Sequence, residues 1–375
     1  MPLPHATPTR RVGAKHRASS GEESPATLVR GMSLESFLDE TANADNQMWA
    51  LAALLRAIAK AAIQLGDAVS LGHIAGTMGG SVETANHDGD VQKRLDFVAN
   101  ELFIKAARSA PVAAVLSEEL SAPLVLDPAA PLAVAIDPLD GSSDIDANVS
   151  IGTIFAVFPA VANASQPAEH FLRPGHEQLA AGFIIYGPQT SFVFTLGNGA
   201  HVFTLERSSG VFQLAIPRLA IPEDSAEYAV NASNYRHWDE SVRAYIDDCM
   251  KGAEGPLCRD HNMRWIASLV ADAYRILIRG GVFLYPGDQR RGYRNGRLRL
   301  IYEANPISFL VEQAGGGATN PIERILDIKP IDLHARTPVV FGSFAAVQRI
   351  SRYHTDPQFS AERSPLFFQR GLIRR

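Results

Sequence analysis

The sequence predicts a mixed α/β protein (α+β in its layering) built as two layered halves. Apolar residues recur at helical spacing in two long segments near the start, and short apolar runs typical of buried strands follow them. In the second half, helical and strand-like segments alternate. The 375 residues, 46% of them hydrophobic, suit one large domain or two medium ones.

The first half is predicted to open with helices. Ser33 to Asp39 has the pattern of a short helical lead-in, and Asp45 is placed to cap a long helix that runs to about Val69. A glycine-rich break, Gly72 to Gly80, separates it from a second amphipathic helix, Val91 to Arg108.

Strands are predicted next. The buried type is expected at Val112 to Leu116, Leu132 to Ile136 and Ile151 to Phe158. Turn residues between β-rich runs predict an antiparallel meander of Ala180 to Tyr186, Ser191 to Leu196 and Ala200 to Leu205. A link punctuated by Pro217 and Pro222 marks the predicted domain boundary.

The second half is predicted to alternate between strands and helices. Its strands are expected at Tyr228 to Val230, Val282 to Tyr285, Leu298 to Ile301 and Pro338 to Phe341, and its helices at His237 to Met250, Arg264 to Ile278 and Ile307 to Ala314. The predicted division is a basic, disordered extension (1–30), two α/β domains (31–218 and 219–350) and a basic C-terminal tail (351–375).

Composition narrows the functional classes. The formal net charge of −5 gives no reason to expect a nucleic-acid partner, and no apolar run approaches the roughly 20 residues that span a bilayer. The two cysteines, Cys249 and Cys258, fit a reducing compartment. The first 24 residues are basic and lack an apolar core, which excludes a secretory signal. They are interpreted as a disordered tail, with an organelle transit peptide as the alternative.

Acidic residues gather at the ends of predicted strands and at the start of the second predicted helix. They are Glu118 and Glu119 after one strand, Asp137 and Asp140 after the next, Glu303 after a third, and Asp90 and Asp96 at the helix. Because ligand sites in α/β sheets lie beyond the carboxyl ends of strands, we expect the strand-end acids to converge. Converging carboxylates repel, and a hard divalent cation such as Mg²⁺ removes that repulsion. No Cys/His cluster has zinc spacing.

Small residues follow Asp140 directly. Gly141, Ser142 and Ser143 lack bulk, so their N–H groups can approach an anion, and a helical turn that starts there favours phosphate. Carboxylates that hold metal beside such a cradle suit metal-assisted hydrolysis of a phosphate ester. Taken singly, the Glu-Glu pair is most simply a solvated loop, the two acids of DPLD a turn, and Asp90 a helix cap. Acids at the ends of three separate strands are harder to explain in that way.

Taken together, these segments resemble class I fructose-1,6-bisphosphatases, of the lithium-sensitive, Mg²⁺-dependent sugar phosphatase superfamily. The resemblance runs from about Ser33 to Arg349. Its motifs are GDVQKRLD (Gly89 to Asp96), LSEE (Leu116 to Glu119), DPLDGSSDID (Asp137 to Asp146), RWIASLVAD (Arg264 to Asp272), GGVFLYPGD (Gly280 to Asp288) and GRLRLIYEANP (Gly296 to Pro306).

The resemblance implies a five-layered α-β-α-β-α sandwich in which 31–218 carries the metal-site acids and 219–350 binds sugar phosphate. It also implies hydrolysis of the 1-phosphate of fructose 1,6-bisphosphate, with Mg²⁺ as the cofactor and Mn²⁺ as a substitute. The expected setting is carbohydrate metabolism, in gluconeogenesis or the Calvin cycle. The expected location is the cytoplasm, with a plastid as the alternative.

Individual roles follow from the same resemblance. The implied metal ligands are Glu118, Asp137, the carbonyl of Leu139, Asp140, Glu303 and, as a further metal-linked acid, Asp90. Glu119 and Asp96 are implied to position or deprotonate the attacking water. The implied substrate contacts are Asp140, Gly141, Ser142, Ser143 and Arg299 at the 1-phosphate, and Asn231, Tyr285, Arg297 and Arg264 at the other phosphate. Arg264 is implied to act in a neighbouring subunit, which predicts a homo-oligomer, commonly a tetramer.

The chain departs from the family pattern in places. Arg297 stands where lysine is usual and presents a planar fork, and Trp265 stands where a tyrosine commonly lends a hydroxyl. Ala44 to Leu51 and Pro131-Leu132 lack the groups that hold AMP in animal enzymes, so AMP is expected to inhibit weakly or not at all. The arginines at 290, 291 and 294 are interpreted as a solvated loop, with attraction of a bisphosphate as the alternative.

Three alternative functions stay open. A dual fructose-1,6-/sedoheptulose-1,7-bisphosphatase differs by one hydroxymethylene in the substrate, which sequence reading cannot resolve. An inositol-type monophosphatase would leave the second phosphate site without a use. A non-catalytic regulator on the same scaffold would be free to lose several of the acids, and the acid set is complete.

Overall fold

The structure is a computed structural model that describes residues 29–72, 81–85 and 91–356. Its α-helices are α1 (Leu34–Ala42), α2 (Asn46–Leu71), α3 (Arg94–Arg108), α4 (Glu240–Met250), α5 (Leu269–Arg279), α6 (Asn305–Gln313) and α7 (Phe344–Thr355). Its first strands are β1 (Ser81–Ala85), β2 (Val91–Lys93), β3 (Val112–Ser117), β4 (Leu124–Val125), β5 (Leu132–Asp140), β6 (Ile151–Pro159), β7 (Ala180–Tyr186), β8 (Thr190–Thr195), β9 (Ala200–Glu206) and β10 (Val211–Leu219). The later strands are β11 (Glu227–Ala229), β12 (Asn262–Met263), β13 (Val282–Tyr285), β14 (Leu298–Arg299), β15 (Gly317–Thr319), β16 (Arg336–Thr337) and β17 (Val339–Gly342).

Two sheets form the framework of the fold. The larger has eight strands in the order β10-β9-β8-β7-β6-β5-β3-β4, and only β3 and β5 run parallel in it. The smaller has five strands in the order β12-β11-β13-β17-β15. Each strand from β5 to β9 pairs with the next one along the chain, so the predicted meander is confirmed and is longer than expected.

Helices alternate with the two sheets. Helices α2 and α3 pack with apolar residues of the larger sheet, and α5 and α6 lie between the sheets in a second apolar cluster. Helices α4 and α7 share a third cluster with the outer face of the smaller sheet. The layers therefore follow the order α-β-α-β-α, which confirms the predicted layered α/β class. The predicted domain boundaries stay predictions.

Helix α2 is the main core helix of the first layer. Its N-terminus is capped as predicted, since Asp45 Oδ1 accepts the N–H of Met48 at 2.8 Å. Among the described residues it is the one helix that could cross a membrane by length and composition, but 56% of its most apolar window is buried inside the protein. The long helix predicted after Asp45 is confirmed, but its apolar length was not predicted, because Arg56 and Lys60 interrupt the apolar run.

Two predicted helix starts were wrong. The second helix begins at Arg94 and not at Val91, because 91–93 forms β2 and pairs with β1. Helix α5 begins at Leu269 and not at Arg264, because Ser268 caps it and the carboxylate of Asp272 accepts the N–H groups of the two residues before that cap. Residues 264–268 are therefore an irregular segment before the helix.

Other elements also differ from the prediction. The link around Pro217 is strand β10, which tolerates a proline because it lies at the edge of the sheet. The strand predicted to lead to Glu303 ends at Arg299, and a π-helical turn, Leu300–Ala304, follows it. Helix α4 begins at Glu240 after a short 3-10 turn, and α7 reaches Thr355 where no helix was predicted.

Candidate active site

Strand β5 places both acids of its DPLD segment inside the protein. Asp137 is 4% exposed and Asp140 is 8% exposed. Residues three apart on a regular strand point to opposite faces, but the pairing of β5 with β6 shifts register between these two acids. The irregularity lets both carboxylates reach one site, and the N–H of Leu139 donates to Asp137 Oδ1 at 3.1 Å within it.

A third acid joins them from the π-helical turn. One carboxylate oxygen each of Asp137, Asp140 and Glu303 lies within 4.8 Å of the others. The turn is itself held to this acid, since the N–H of Arg299 donates to Glu303 Oε2 at 2.6 Å. Isolated π-turns inside helices are frequent at functional sites. The structure therefore confirms the predicted convergence of these three acids.

Burial and mutual repulsion shift the titration of the cluster. The pKa of Asp137 lies well above its ordinary value because of burial and then because of the charges of Asp140 and Glu303. The same two causes, burial and the Glu303 charge, raise the pKa of Asp140 to about 7. Burial raises the pKa of Glu303 as well. An all-oxygen donor set of this kind fits a hard divalent cation, which would remove the repulsion.

The two predicted acids after β3 lie at the edge of the cluster. Glu118 forms an ion pair with the guanidinium of Arg299, and both side chains are largely buried. The N–H of Glu118 also donates to Ile136 O at 3.0 Å, which ties this strand end to β5. The charge of Glu119 contributes to the raised pKa of Asp137 and so acts on the cluster. A ligand role for Glu118 stays a prediction.

Two predicted acids belong to the segment before and within α3. Asp96 is buried in the first turn of that helix and is 4% exposed. Asp90 lies outside the described residues. The roles implied for both stay predictions.

The predicted phosphate cradle begins with a left-handed glycine. Gly141 has a φ of +83° and precedes a 3-10 turn, Ser142–Ala147. A Cβ on this glycine would meet only ordinary contacts of 3.6 Å and longer, so the backbone conformation and not space requires it. Gly141 and Ser142 are half-buried, and Ser143 is exposed. The small residues therefore lie beside Asp140 at an accessible turn.

Helix α5 supports the same acid from the other side, which the sequence reading missed. The N–H of Val270, in its first turn, donates to Asp140 Oδ2 at 3.0 Å. The helix can approach because Gly152 on β6, the register partner of Asp140, has no side chain. A Cβ there would lie 2.4 Å from Ile184 O and 2.6 Å from Val270 Cγ2. A glycine inside the apolar run of β6 was the available sequence signal.

We therefore predict that Gly152→Ala weakens both the fold and the cluster. The added methyl must push α5 or β7 away, so the free energy of unfolding should fall by about 1–3 kcal/mol and the Val270–Asp140 hydrogen bond should lengthen. Thermal unfolding and the half-saturating Mg²⁺ concentration for activity measure the two effects. Gly210→Ala, in an open turn where no atom lies within 4 Å of the added Cβ, serves as the control for substitution of a glycine. An unchanged Mg²⁺ requirement in Gly152→Ala would contradict this positioning role.

Some of the predicted distal contacts line one pocket. Its lining includes Asn231, Trp265, Tyr285, Arg290 and Tyr293. Trp265 stacks on Phe283 with ring centroids 5.6 Å apart, so it serves as a wall of the pocket. The interpretation as a solvated loop fits Arg291 and Arg294, which are exposed, whereas Arg290 is half-buried and lines the pocket. Tyr293 was not predicted, since nothing in its local pattern marks it.

The remaining predicted cations lie outside that lining. Arg297 is exposed, and its Nη1 donates to the hydroxyl of Tyr293 at 2.9 Å. Arg264 is exposed in the single chain, where its Nη1 donates to Met263 O at 3.0 Å. A role for Arg264 in a neighbouring subunit stays a prediction.

A layered α/β scaffold that brings buried carboxylates together beside an accessible glycine turn is the arrangement expected of a phosphoric monoester hydrolase. The family models for "Fructose-1-6-bisphosphatase, N-terminal domain" and "Fructose-1-6-bisphosphatase, C-terminal domain" match residues 32–217 and 221–355. The chain therefore belongs to the fructose-1,6-bisphosphatase family.

Individual relatives agree with the family models. The chain is 53% identical over 348 residues to the class 1 fructose-1,6-bisphosphatase of Sinorhizobium medicae, covering 92% of this chain and all of that protein. It is also 53% identical to a class 1 fructose-1,6-bisphosphatase of Methylorubrum extorquens, covering 93% of this chain and 99% of the relative. The crystal structure of Leishmania major fructose-1,6-bisphosphatase in holo form superposes with a TM-score of 0.79 at 32% identity, covering 86% and 99% of the two chains.

Proposed function

We propose that the protein hydrolyses the 1-phosphate of fructose 1,6-bisphosphate to fructose 6-phosphate and phosphate. The observation that carries this proposal is the convergence of Asp137, Asp140 and Glu303 beside the Gly141 turn. The family supports the choice of substrate, because the relatives carry the name fructose-1,6-bisphosphatase over nearly their whole length.

We propose Mg²⁺ as the cofactor, with Mn²⁺ as a substitute. The three clustered carboxylates would hold it, and the oxygens of Glu118, Leu139 and Asp90 are the further candidate ligands. When bound, the cation supplies Lewis acidity that polarises phosphoryl oxygens and acidifies water. The support from this chain is the raised pKa of the clustered acids. Buried carboxylates that repel one another are stabilised when a cation binds between them.

Groups of the chain itself would bind the 1-phosphate, accept the proton of the attacking water and stabilise the negative charge of the transferred group. The N–H groups from Gly141 to Ser143 would hold the 1-phosphate, because a left-handed glycine followed by a 3-10 turn presents donors to an anion. Glu119 and Asp96 would accept the proton of the attacking water, and a base within hydrogen-bond reach typically contributes about 10²–10⁴-fold. Arg299, already buried beside the cluster, would offset the negative charge of the transferred group.

The distal phosphate has its own proposed contacts. Asn231 and Tyr285 line the pocket described above, and Arg297 lies beside it through Tyr293. Arg264 would complete the site in a neighbouring subunit of a homotetramer, and its exposure in the single chain supports that assignment. We also propose a cytoplasmic enzyme of gluconeogenesis or the Calvin cycle.

The experiment is phosphate release from fructose 1,6-bisphosphate and sedoheptulose 1,7-bisphosphate side by side, with and without Mg²⁺. We expect Mg²⁺-dependent release with the larger kcat/KM for fructose 1,6-bisphosphate. One methylene in a hydrophobic pocket is typically worth about 1–3 kcal/mol, or roughly 10–200-fold, and we expect the extra hydroxymethylene to have an effect in this range. Equal or larger kcat/KM for the seven-carbon substrate would favour the dual enzyme, and no release from either would contradict the proposed function.

A further inference from the structure

The loop 286–297, which joins β13 to β14, carries two arginines on one aromatic ring. The guanidinium carbon of Arg290 lies 4.3 Å from the ring centroid of Tyr293, and that of Arg297 lies 5.0 Å from it. Arg297 Nη1 also donates to the hydroxyl of the same tyrosine at 2.9 Å. We call this set the Arg290–Tyr293–Arg297 stack. A ring in contact with two guanidiniums restrains both of them by cation–π attraction.

Arg290 is anchored on its other edge. Its Nε donates to both carboxylate oxygens of Asp288 at 3.0 Å, and its Nη2 donates to Asn234 Oδ1 at 3.0 Å. Asp288 is buried, and its N–H donates to Tyr293 O at 3.0 Å. Within the ranges that the structure describes, Nη1 of Arg290 makes no hydrogen bond, and the side chain is 33% exposed. The guanidinium of Arg290 is therefore held in place, and its Nη1 can still donate hydrogen bonds to a ligand.

This fixed guanidinium belongs to the distal pocket. Arg290 and Tyr293 line it together with Asn231 and Tyr285. Burial raises the pKa of the Tyr285 hydroxyl, and the charges of Arg297 and Arg290 both act to lower it, so both cations lie within electrostatic reach of that hydroxyl. Two like charges held this close repel, and a phosphate dianion that accepts from both removes the repulsion.

We propose that Arg290 is a further ligand for the distal phosphate of the substrate and that Tyr293 is a positioning residue that holds Arg290 and Arg297 for it. This rests on the proposed function for the identity of the substrate. The stack supplies two cations from one chain, in addition to any cation that a neighbouring subunit provides. Arg290 binds the substrate directly, whereas Tyr293 acts through the two arginines.

Binding of fructose 6-phosphate, which carries only the distal phosphate, tests the proposal without requiring turnover. In calorimetry, Arg290→Gln should weaken this binding by roughly tenfold or more, as expected for loss of a hydrogen bond to a charged group. Inorganic phosphate, which probes the 1-phosphate cradle, should bind as before. In turnover, KM for fructose 1,6-bisphosphate should rise by a similar factor with little change in kcat.

Variants of Tyr293 separate the contribution of its aromatic face from that of its hydroxyl. Tyr293→Phe keeps the aromatic face and loses the hydroxyl, so its loss of fructose 6-phosphate affinity should be smaller than that of Tyr293→Leu. Arg291→Gln, which removes the exposed neighbouring arginine of the same loop, is the matched control and should change binding little. Because Arg290→Gln leaves the buried Asp288 unpaired, the double variant Arg290→Gln/Asp288→Asn repeats the test without that burden on folding.

Unchanged fructose 6-phosphate affinity in the folded double variant would overturn the role of Arg290, and so would an equal loss in Arg291→Gln. Unchanged affinity in Tyr293→Leu would overturn the positioning role. If the wild-type protein binds fructose 6-phosphate through Arg290 but does not hydrolyse fructose 1,6-bisphosphate, the inference stands and the proposed function fails.

Discussion

Asp137→Asn is expected to lower kcat for fructose 1,6-bisphosphate by about 10³-fold, of the order seen when one preorganised electrostatic group is lost. Burial and the charges of Asp140, Glu303 and Glu119 hold the pKa of this carboxyl well above its ordinary value. The amide keeps the shape of the carboxylate but cannot carry its charge to a cation. Initial rates of phosphate release at saturating Mg²⁺ measure the effect.

The same substitution should not harm the fold, which separates loss of chemistry from loss of structure. Removing a buried charge that its neighbours repel should leave the melting temperature of the metal-free protein unchanged or raise it. Asp127→Asn is the matched control: it removes an exposed acid that caps a turn, through the N–H of Ala129, and should keep full turnover. Near-wild-type turnover of Asp137→Asn at saturating Mg²⁺ would contradict the metal assignment.

Glu118→Gln should act in the same direction, with a different effect on stability. Its partner Arg299 is 6% exposed, so the amide would remove one of the negative charges that face a buried guanidinium. Breaking a buried pair on one side typically costs about 3–5 kcal/mol. The ratio of activity loss to stability loss therefore distinguishes Glu118 from Asp137.

The second large effect is a pH dependence of metal affinity. Protons and a cation compete for the same carboxylate oxygens, and the pKa of Asp140 is raised to about 7. This one group should lower the half-saturating Mg²⁺ concentration by about tenfold between pH 6 and pH 8, since it is mostly protonated at the first and ionised at the second. Asp137 and Glu303, whose pKa values are also raised, should make the half-saturating Mg²⁺ concentration depend still more steeply on pH.

Stability of the metal-free protein should move in the opposite direction. The folded cluster holds protons that the unfolded chain releases once the pH exceeds the ordinary value of 3.8. The stability that Asp140 contributes is thus present below that value and is lost as the pH rises towards about 7. Mg²⁺ should restore it, most strongly at pH 8. A half-saturating Mg²⁺ concentration that is the same at pH 6 and pH 8 would contradict this account, and Asp140→Asn should flatten the slope.

The cluster could be predicted from the sequence because its acids stand in short, local patterns. Asp137 and Asp140 follow an apolar strand within one segment, and the glycine after them has a recognisable use. Glu303 was predicted at the end of a strand and lies on a π-helical turn. The prediction that Glu303 joins the other acids was right, whereas the predicted strand before it was wrong. The carboxylate reaches the cluster from the π-helical turn.

The supporting contacts could not be predicted, because they join residues far apart in the chain. The N–H of Val270 reaches Asp140 only where β6 lacks a side chain at Gly152, and the start of α5 depends on Asp272, a carboxylate inside the helix. Periodicity alone extended the predicted helix back through residues 264–268, which are irregular. The role of Tyr293 depends on its contacts with two arginines, which no local pattern expresses.

We propose that these carboxylates use a divalent cation to cleave the 1-phosphate. The most direct measurement strips the protein of metal with a chelator and follows fructose 1,6-bisphosphate as Mg²⁺ is returned, with both products identified. We expect no turnover without the cation, and one phosphate and one fructose 6-phosphate for each substrate molecule with it. Equal rates in the chelator, or fructose 1-phosphate as the product, would contradict it.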